Sequence, residues 1–273
     1  MKLEITKMHG IGNSYVILED LGKKFQSKYS KIAKMVSDKN FGVGSDGILV
    51  VNKGRIANYW MRVFNPDGSE AEKSGNGIRM FARYLYDKRL IEREAEIEVG
   101  GSKGGTIVRS RINNDNSVTV DMGKGELLGK KTLEINGMKF VGMHVSVGNP
   151  HFVVFANSER EAKDNALKYG SAIENHGMFK PNRTNVEFVF VKGKDNIALN
   201  VWERGAGLTL SSGTGSCASA FAAFKENKVK NKVNIELPGG NLKIEVKADD
   251  RILMSGPAEY IFSGSIDLDK IVK

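Results

Sequence analysis

The amino-acid sequence predicts a mixed α/β (α+β) fold with two pseudo-symmetric domains, each a strand-rich sheet wrapped around one central helix. A Ser-Gly-x-Gly tetrapeptide stands at residues 74–77 and again at residues 212–215, and the register holds without a gap on both sides at an offset of 138 residues. This repeat is longer than a solenoid unit of roughly 20–50 residues. The second observation is that short alternating segments, which are typical of strands, outnumber the segments with helical spacing. Together they indicate two copies of one domain.

The first copy begins with two strands and a helix, and then has two strands, a second helix and further strands. We predict strands at residues 3–8, 15–18, 48–51, 61–64, 96–99, 106–112 and 117–122, and helices at residues 29–38 and 77–87. The second helix carries Ile78, Phe81, Ala82 and Leu85 at the i, i+3, i+4, i+7 spacing of an apolar face. This spacing predicts a central, buried helix.

The second copy repeats this order. We predict strands at residues 139–146, 186–191, 198–202, 232–237 and 242–246, a helix at residues 160–169, and a further helix after the second Ser-Gly-x-Gly turn. That last helix repeats the apolar spacing from Cys217 to Phe224. The Gly-Asn-Pro-His sequence of residues 148–151 echoes Gly-Asn-Ser-Tyr at residues 12–15, so both copies open in the same way.

The length of 273 residues suits two domains, because a domain typically has about 100–200 residues. We predict an N-terminal domain of residues 1–116 plus about 264–273 and a C-terminal domain of residues 117–263. The first residues lack an apolar signal segment, and no stretch approaches the ~20 apolar residues of a membrane span. We therefore expect a cytoplasmic protein with no membrane partner.

The net charge of +9 raises the question of a nucleic-acid partner. The Lys and Arg residues are, however, spread along the chain and mixed with Asp and Glu. The densest basic run, residues 225–232, is predicted to end a helix, where cations interact favourably with the helix dipole. We expect a solvated basic surface and no nucleic-acid binding. Cys217 is the only cysteine and the four histidines lack zinc spacing, so we expect neither an internal disulfide nor a metal site.

The paired Ser-Gly-x-Gly turns predict a carboxylate site in the cleft between the domains. The first N–H groups of a helix have no intrahelical partner, so a helix start binds anions, and glycine lets a ligand approach the backbone closely. Two facing helix starts would hold one carboxylate and stabilise the charge that develops when the neighbouring carbon loses its proton. Ser74 and Ser212 would then lie on opposite faces of that carbon, which suits inversion of a stereocentre without a cofactor. Either serine alone is explained as a helix N-cap.

Cysteine suits this two-base chemistry better than serine does. The pKa of a thiol, about 8.5 in a free cysteine, falls at a helix N-terminus. Serine is a poor acid or base at neutral pH unless a neighbouring base activates it. We therefore expect the chain as written to be weak or inactive.

The whole chain resembles the diaminopimelate epimerase family in a series of ordered motifs. These lie at residues 7–13, 64–70, 75–77, 148–151, 184–188, 202–207 and 237–240. The resemblance implies an isomerase, usually a homodimer, that converts LL- to meso-diaminopimelate for lysine and peptidoglycan synthesis without pyridoxal phosphate or metal. It also implies that Ser74 and Ser212 match the two catalytic cysteines, that His151 assists the first and that Glu203 assists the second.

The resemblance further implies a substrate-binding set. The far amino-acid end of the substrate would be held by Asn13, Asn65, Asn149, Asn185 and Arg204, and the reacting carboxylate by the backbone N–H groups of Gly75, Asn76, Gly213 and Thr214. Taken one at a time, these residues have ordinary explanations as turn asparagines or surface ion-pair partners.

The sequence departs from the family pattern at several positions. Both cysteines are absent, Leu208 stands where the family usually has Glu, and Asp46 lies in a loop that varies among relatives. The paired serines are interpreted either as a deliberate replacement that holds substrate without turnover or as a natural divergence. The near-isosteric Ser and the retained distal residues favour the first interpretation, whereas Leu208 favours the second.

Two other functions are consistent with the same motifs. The first is a racemase acting on another amino acid, against which Arg204 argues, because a substrate without a second carboxylate would leave its guanidinium unpaired. The second is a non-catalytic amino-acid-binding protein.

Overall fold

The computed structural model describes residues 2–101 and 105–271, which divide into two compact units. Unit 1 comprises Met1–Val120 and Gly256–Lys273, and unit 2 comprises Asp121–Ser255. Each unit is rich in strands and has one helix buried against its sheet. The predicted mixed α/β, strand-rich fold class is therefore confirmed.

The elements are numbered in chain order. The strands are β1 (Lys2–Gly10), β2 (Asn13–Glu19), β3 (Ile48–Lys53), β4 (Tyr59–Phe64), β5 (Glu70–Ala71), β6 (Glu94–Val99), β7 (Thr106–Ile112), β8 (Val118–Lys124), β9 (Glu126–Ile135), β10 (Met138–Ser146), β11 (Pro150–Phe155), β12 (Asn185–Gly193), β13 (Asn196–Glu203), β14 (Gly207–Thr209), β15 (Lys232–Leu237), β16 (Gly240–Val246), β17 (Arg251–Gly256) and β18 (Glu259–Asp267). The helices are α1 (Tyr29–Ser37), α2 (Gly75–Asp87), α3 (Glu159–Glu174), α4 (Gly213–Lys225) and α5 (Leu268–Ile271), with 3-10 turns at Gln26–Lys28 and Gly177–Phe179.

The two units share one strand order. In unit 1 the order is β18-β1-β2-β3-β4-β6-β7-β8, with β5 added to β4, and the parallel pairs are β2 with β3 and β4 with β6. In unit 2 the order is β9-β10-β11-β12-β13-β15-β16-β17, with β14 added to β13, and the parallel pairs are β11 with β12 and β13 with β15. The parallel pairs therefore fall at equivalent places in the two units.

The repeat seen in the sequence is kept in the structure. Helices α2 and α4 begin and end at positions that differ by the same 138 residues, and so do strands β6 and β15. The predicted pseudo-symmetry is confirmed for this part of the fold.

Helices α2 and α4 form the centre of their units. Helix α2 packs on β1, β2, β3, β4 and β7, and α4 packs on β10, β11, β12, β13, β15 and β16. Ile78, Phe81, Ala82 and Leu85 are all fully buried, as their spacing predicts. Burial of a large apolar side chain contributes about 1.5–3 kcal/mol, so this face fixes the start of α2 against the sheet.

Several element boundaries differ from the predictions. Helix α2 begins at Gly75 and not at Gly77, because Ser74 acts as its N-cap. Helix α3 runs on to Glu174, because Ile173 continues its buried face. Of the basic run at residues 225–232, only Lys225 belongs to α4, so the prediction that this run ends the helix was wrong for the remaining residues. Strands β5, β9, β11, β14, β17 and β18 were not predicted. Among the described residues, no helix combines the length and apolar character required to cross a membrane.

Candidate active site

The two Ser-Gly-x-Gly turns have the same local geometry. Ser74 is extended, with φ −134° and ψ 120°, and Ser212 has φ −136° and ψ 119°. Ser74 Oγ accepts the Gly77 N–H at 3.1 Å, and Ser212 Oγ accepts the Gly215 N–H at 3.2 Å. Both serines therefore act as N-caps, and this role does not conflict with a catalytic one.

The backbone N–H groups proposed to bind a carboxylate lie in these first helical turns. The first intrahelical bonds are donated by Ile78 to Ser74 and by Ser216 to Ser212. The residues that precede these donors are Gly75, Asn76, Gly213 and Thr214. All of them except Thr214 are buried. The N–H groups of a first turn carry the positive end of the helix dipole, so each turn favours an anion.

Unit 1 links Asn76 to the first turn of the chain. Asn76 Nδ2 donates to Asn13 Oδ1 at 3.3 Å, and Asn13 Nδ2 donates to Asp46 Oδ2 at 2.9 Å. The Ser14 N–H donates to the same Asp46 oxygen at 2.7 Å. Asp46 therefore orients Asn13. Asp46 was not among the predicted site residues, although an acidic residue within a glycine-rich loop was a usable signal.

Asn65 lies in the turn that follows β4. Its side-chain Nδ2 donates to Ser69 Oγ at 3.0 Å, and its backbone N–H donates to the Ser69 carbonyl at 2.9 Å. Asp67 accepts bonds from the Ser69 N–H and hydroxyl, which lowers the pKa of the Asp67 carboxyl. The bonds of Asn65 thus hold this turn together.

In unit 2, a carboxylate contacts the capping serine. Ser212 Oγ donates to Glu203 Oε2 at 3.2 Å. Glu203 is the last residue of β13, and Ser212 is 2% exposed. The pair places a base beside a buried hydroxyl at a helix start, which is the arrangement by which a base activates a weak nucleophile.

His151 stands at the centre of a second chain of bonds in unit 2. The fully buried ring lies 2.7 Å from Glu187 Oε1 through Nδ1 and 3.0 Å from Asn149 Oδ1 through Nε2. Asn149 Nδ2 in turn donates to Thr214 Oγ1 at 3.4 Å. The contacts arise because parallel strands β11 and β12 place His151 opposite Asn185, and Glu187, two residues further on, shares the same face.

Burial dominates the electrostatics of Glu187. The loss of water around its side chain raises the pKa of the Glu187 carboxyl, the nearby His151 opposes this effect, and the negative charge of Glu203 adds to it. Glu187 was not among the predicted site residues. A Glu in an otherwise apolar buried strand was the available signal.

Asn185 and Arg204 are joined in the turn after β13. Asn185 Oδ1 accepts the Arg204 N–H at 3.0 Å, and its Nδ2 donates to the Pro150 carbonyl at 2.9 Å. The exposed Arg204 side chain donates through Nη1 to the Asn182 carbonyl at 2.8 Å. Asn185 therefore ties the start of β11, which carries His151, to the turn that carries Arg204.

Glu174, the last residue of α3, anchors the same turn and was not predicted. Its Oε1 accepts the Gly205 N–H at 2.9 Å and Arg183 Nη1 at 2.6 Å, and its Oε2 accepts Trp202 Nε1–H at 2.8 Å. Leu208 lies on β14 opposite Trp202 and is 44% exposed. Within residues 2–101 and 105–271, no group of three or more His, Cys, Asp or Glu side chains is arranged to hold a metal ion.

Comparison with solved structures supports the fold. A phenazine biosynthesis protein of the PhzF family from Bacillus anthracis has a TM-score of 0.75 at 16% identity, covering 98% of this chain and all of that one. A hydroxyproline epimerase from Agrobacterium vitis with bound trans-4-hydroxy-L-proline has a TM-score of 0.70 at 13% identity, covering 98% of this chain and 93% of that one. At these identities the likeness establishes the fold alone.

Comparison of sequences establishes the family. A family model described as diaminopimelate epimerase matches residues 5–128 and 143–261. The diaminopimelate epimerase of Desulfitobacterium hafniense is 39% identical over 283 aligned residues, covering 96% of this chain and 97% of the relative. That of Moorella thermoacetica is 38% identical, covering 98% of this chain and all of the relative. The members of this family are isomerases, and the chain belongs to the diaminopimelate epimerase family.

Proposed function

We propose that the chain has the site of a diaminopimelate epimerase, with Ser74 and Ser212 in place of the two catalytic cysteines. In this proposal it binds diaminopimelate and inverts the α-carbon weakly or not at all. The observation that carries the proposal is the pair of N-capping serines, which have the same backbone geometry in two turns that the internal repeat relates.

The proposed reaction requires two proton carriers. One residue removes the α-proton while the C–H electron pair stays on the carbon, and the residue on the opposite face delivers a proton to that carbon. The first-turn N–H groups stabilise the carboxylate as negative charge develops beside it. Glu203, 3.2 Å from Ser212, and His151 are proposed to assist the two carriers. A serine hydroxyl accepts and releases protons poorly at neutral pH even with such assistance, so binding is retained while turnover is weak or absent.

The proposed binding roles are those that the resemblance to the family implies. The exposed Arg204 guanidinium suits the far carboxylate of the substrate, because a carboxylate binds both arms of a guanidinium. The other contacts to the substrate are assigned to Asn13, Asn65, Asn149 and Asn185 for its far end and to the N–H groups of Gly75, Asn76, Gly213 and Thr214 for its reacting carboxylate.

The test is restoration of the cysteines. LL-diaminopimelate in deuterium oxide is incubated with the native chain, Ser74→Cys, Ser212→Cys and the double variant, and deuterium at the α-carbon is followed by NMR. We expect the double variant to exceed the native chain by at least about 100-fold, the range of general acid–base catalysis. Each single variant should fall short of full inversion, because each face needs its own carrier. Exchange at an ordinary enzymatic rate in the native chain would contradict the proposal.

A second candidate is supported by the same serines. Serine in place of both catalytic cysteines suits a non-catalytic amino-acid-binding protein. Calorimetric binding of diaminopimelate with no epimerisation in the double variant would favour this function. Activity of the double variant on a monocarboxylic amino acid, with none on diaminopimelate, would instead favour a racemase of different specificity.

We also propose that the chain is a cytoplasmic homodimer of the lysine pathway. Tyr260, Ile261 and Phe262 are consecutive, 41–49% exposed residues of β18, and such apolar exposure on a strand supports a partner surface. Cys217, the single cysteine of the chain, is buried and is not part of a disulfide, as is ordinary in a reducing compartment. Sedimentation equilibrium of the native chain, compared with a Phe262→Asp variant, tests the dimer.

A further inference from the structure

The Glu187 side chain lies fully buried beneath the start of α4. One oxygen, Oε1, is 2.7 Å from His151 Nδ1, and the other oxygen has no hydrogen-bond partner among the residues that the structure describes. A Cβ atom added to Gly215, in the first turn of α4, would lie 3.0 Å from Oε1. The carboxyl therefore fills the space between His151 and the helix start.

The internal repeat shows that the fold does not need a carboxyl there. The position 138 residues before Glu187 is Leu49, on the equivalent strand β3. A Cβ added to Gly77, the counterpart of Gly215, would lie 3.1 Å from Leu49 Cδ2. Unit 1 thus fills the same space under its own helix start with an apolar side chain, and Leu49 is fully buried.

The buried pair of His151 and Glu187 is also not expected to stabilise the fold more than apolar residues would. Taking ionisable groups out of water is costly, and replacing a buried ion pair with apolar residues of similar volume is often neutral or stabilising. A buried carboxyl that the sister unit replaces with leucine is therefore explained better by chemistry than by folding.

The hydrogen bonds define where the protons lie. Asn149 Nδ2 donates to Thr214 Oγ1, which turns Oδ1 of the same amide toward His151. Since Oδ1 only accepts, His151 Nε2 carries the donated hydrogen. Nδ1 and Glu187 Oε1, which are 2.7 Å apart, then require a hydrogen between them, because two bare acceptors would repel each other.

We propose that Glu187 is a positioning residue for His151. It holds the buried imidazole ring and, by sharing the Nδ1 proton, keeps Nε2 a hydrogen-bond donor toward Asn149 and the start of α4. This gives His151 a fixed tautomer with which to stabilise an anionic carrier, in the manner of the carboxylate that orients histidine in catalytic triads. The catalytic use of His151 rests on the proposed function, whereas the shared proton does not.

The first test is NMR of the native chain, which requires no turnover. We expect a low-field hydrogen-bond proton coupled to a His151 ring nitrogen. Glu187→Gln keeps the shape of the side chain but lets its amide donate to Nδ1, so that signal should disappear, as it should in His151→Asn. Persistence of the signal in Glu187→Gln, or its absence from the native chain, would overturn the proposal.

The second test separates positioning from folding. The double variant His151→Leu/Glu187→Leu makes the pair apolar, and Leu49 already takes the place of Glu187 in unit 1. We expect the Tm of this variant to match or exceed that of the native chain. The comparison variant is Glu98→Gln, which changes a fully buried carboxylate of unit 1 that is paired with Arg55. A larger fall in Tm for the double leucine variant than for Glu98→Gln would assign the pair a structural role and overturn the proposal.

The third test measures catalysis after both cysteines have been restored. There we expect Glu187→Gln to lower kcat at least tenfold with little change in KM, Glu187→Asp to recover part of the loss, and Glu98→Gln to leave kcat unchanged. Equal kcat in Glu187→Gln and its parent would refute positioning. If the parent itself does not turn over, the proposed function fails, while the NMR result still decides the role of Glu187.

Discussion

Replacement of Glu174 by Gln should loosen the turn that carries Glu203 and Arg204. The oxygen of the introduced amide can still accept the Gly205 N–H, but its NH₂ group faces the Trp202 Nε1–H, which the carboxylate accepts at 2.8 Å in the native chain. Two donors then meet at a position that is 4% exposed.

These contacts set the loss in the free energy of unfolding that Glu174→Gln should cause. A buried donor left without an acceptor costs about 1–3 kcal/mol. The lost charge adds little, because the partner Arg183 is 45% exposed and recovers water. A fall of about 2–4 °C in Tm for each kcal/mol is expected for a domain of 150–250 residues. We therefore expect Glu174→Gln to lower Tm by several degrees.

The assay is thermal unfolding within a double-mutant cycle. Trp202→Phe removes the indole N–H, so Glu174→Gln should cost less in that background, with a coupling energy of about 1 kcal/mol or more. Glu134→Gln, an exposed carboxylate of β9, is the control and should change stability by less than about 0.5 kcal/mol. A coupling energy near zero, or equal Tm values for the two Gln variants, would refute the assignment of the Glu174–Trp202 bond as an anchor.

Two further predictions concern unit 1. Burial alone would raise the pKa of the Glu98 carboxyl, but backbone N–H groups, including that of Arg55, and the Arg55 side chain outweigh burial and hold the pKa below its usual range. The ionised Glu98 carboxylate therefore stabilises the fold fully above about pH 4.3, the ordinary pKa of Glu, and this stabilisation is lost as the pH falls through the lowered pKa. The Tm difference between the native chain and Glu98→Gln should narrow in acid. A Tm difference that stays constant with pH would contradict this prediction. Asp46→Ala should free the Asn13 amide and weaken diaminopimelate binding about tenfold in calorimetry, which is about 1.4 kcal/mol. The control Asp38→Ala, at the end of α1, should leave binding unchanged. Equal dissociation constants for the two variants would exclude a role for Asp46.

The fold could be predicted wherever the buried residues of an element recur at the spacing of a helix or a strand. Helix α2 shows this well, because its apolar residues repeat at helical spacing and all lie in the core. Strand β9 shows the opposite case, since it is mostly exposed and contains Gly129, and so it carries no clear alternation. Strand β11 begins at Pro150 within an Asn-Pro-His sequence that is typical of a turn, although a parallel partner extends it into the sheet.

The candidate site was predictable only where a motif repeats. Ser74 and Ser212 could be found because the two turns match in sequence. Glu187, Glu174 and Asp46 act through partners that are 9–36 residues away in the chain, and a single sequence gives no distance between such positions. Their contacts depend on strand register and on where α3 ends, which only the structure supplies.

The two copies differ in the side chains beside their central helix starts and agree in the backbone geometry of those starts. Both helix starts have the same capping geometry, so both favour an anion. The repeat relates Asn65, whose amide holds its own turn, to Glu203, whose carboxylate accepts the Ser212 hydroxyl. It likewise relates Leu49 to Glu187. Ionisable groups at these related positions are thus confined to unit 2. In the proposed site the carboxylate is bound by backbone N–H groups, so changing a serine or cysteine there removes a proton carrier without removing the anion site. The proposal therefore predicts that binding and turnover are separable in this chain.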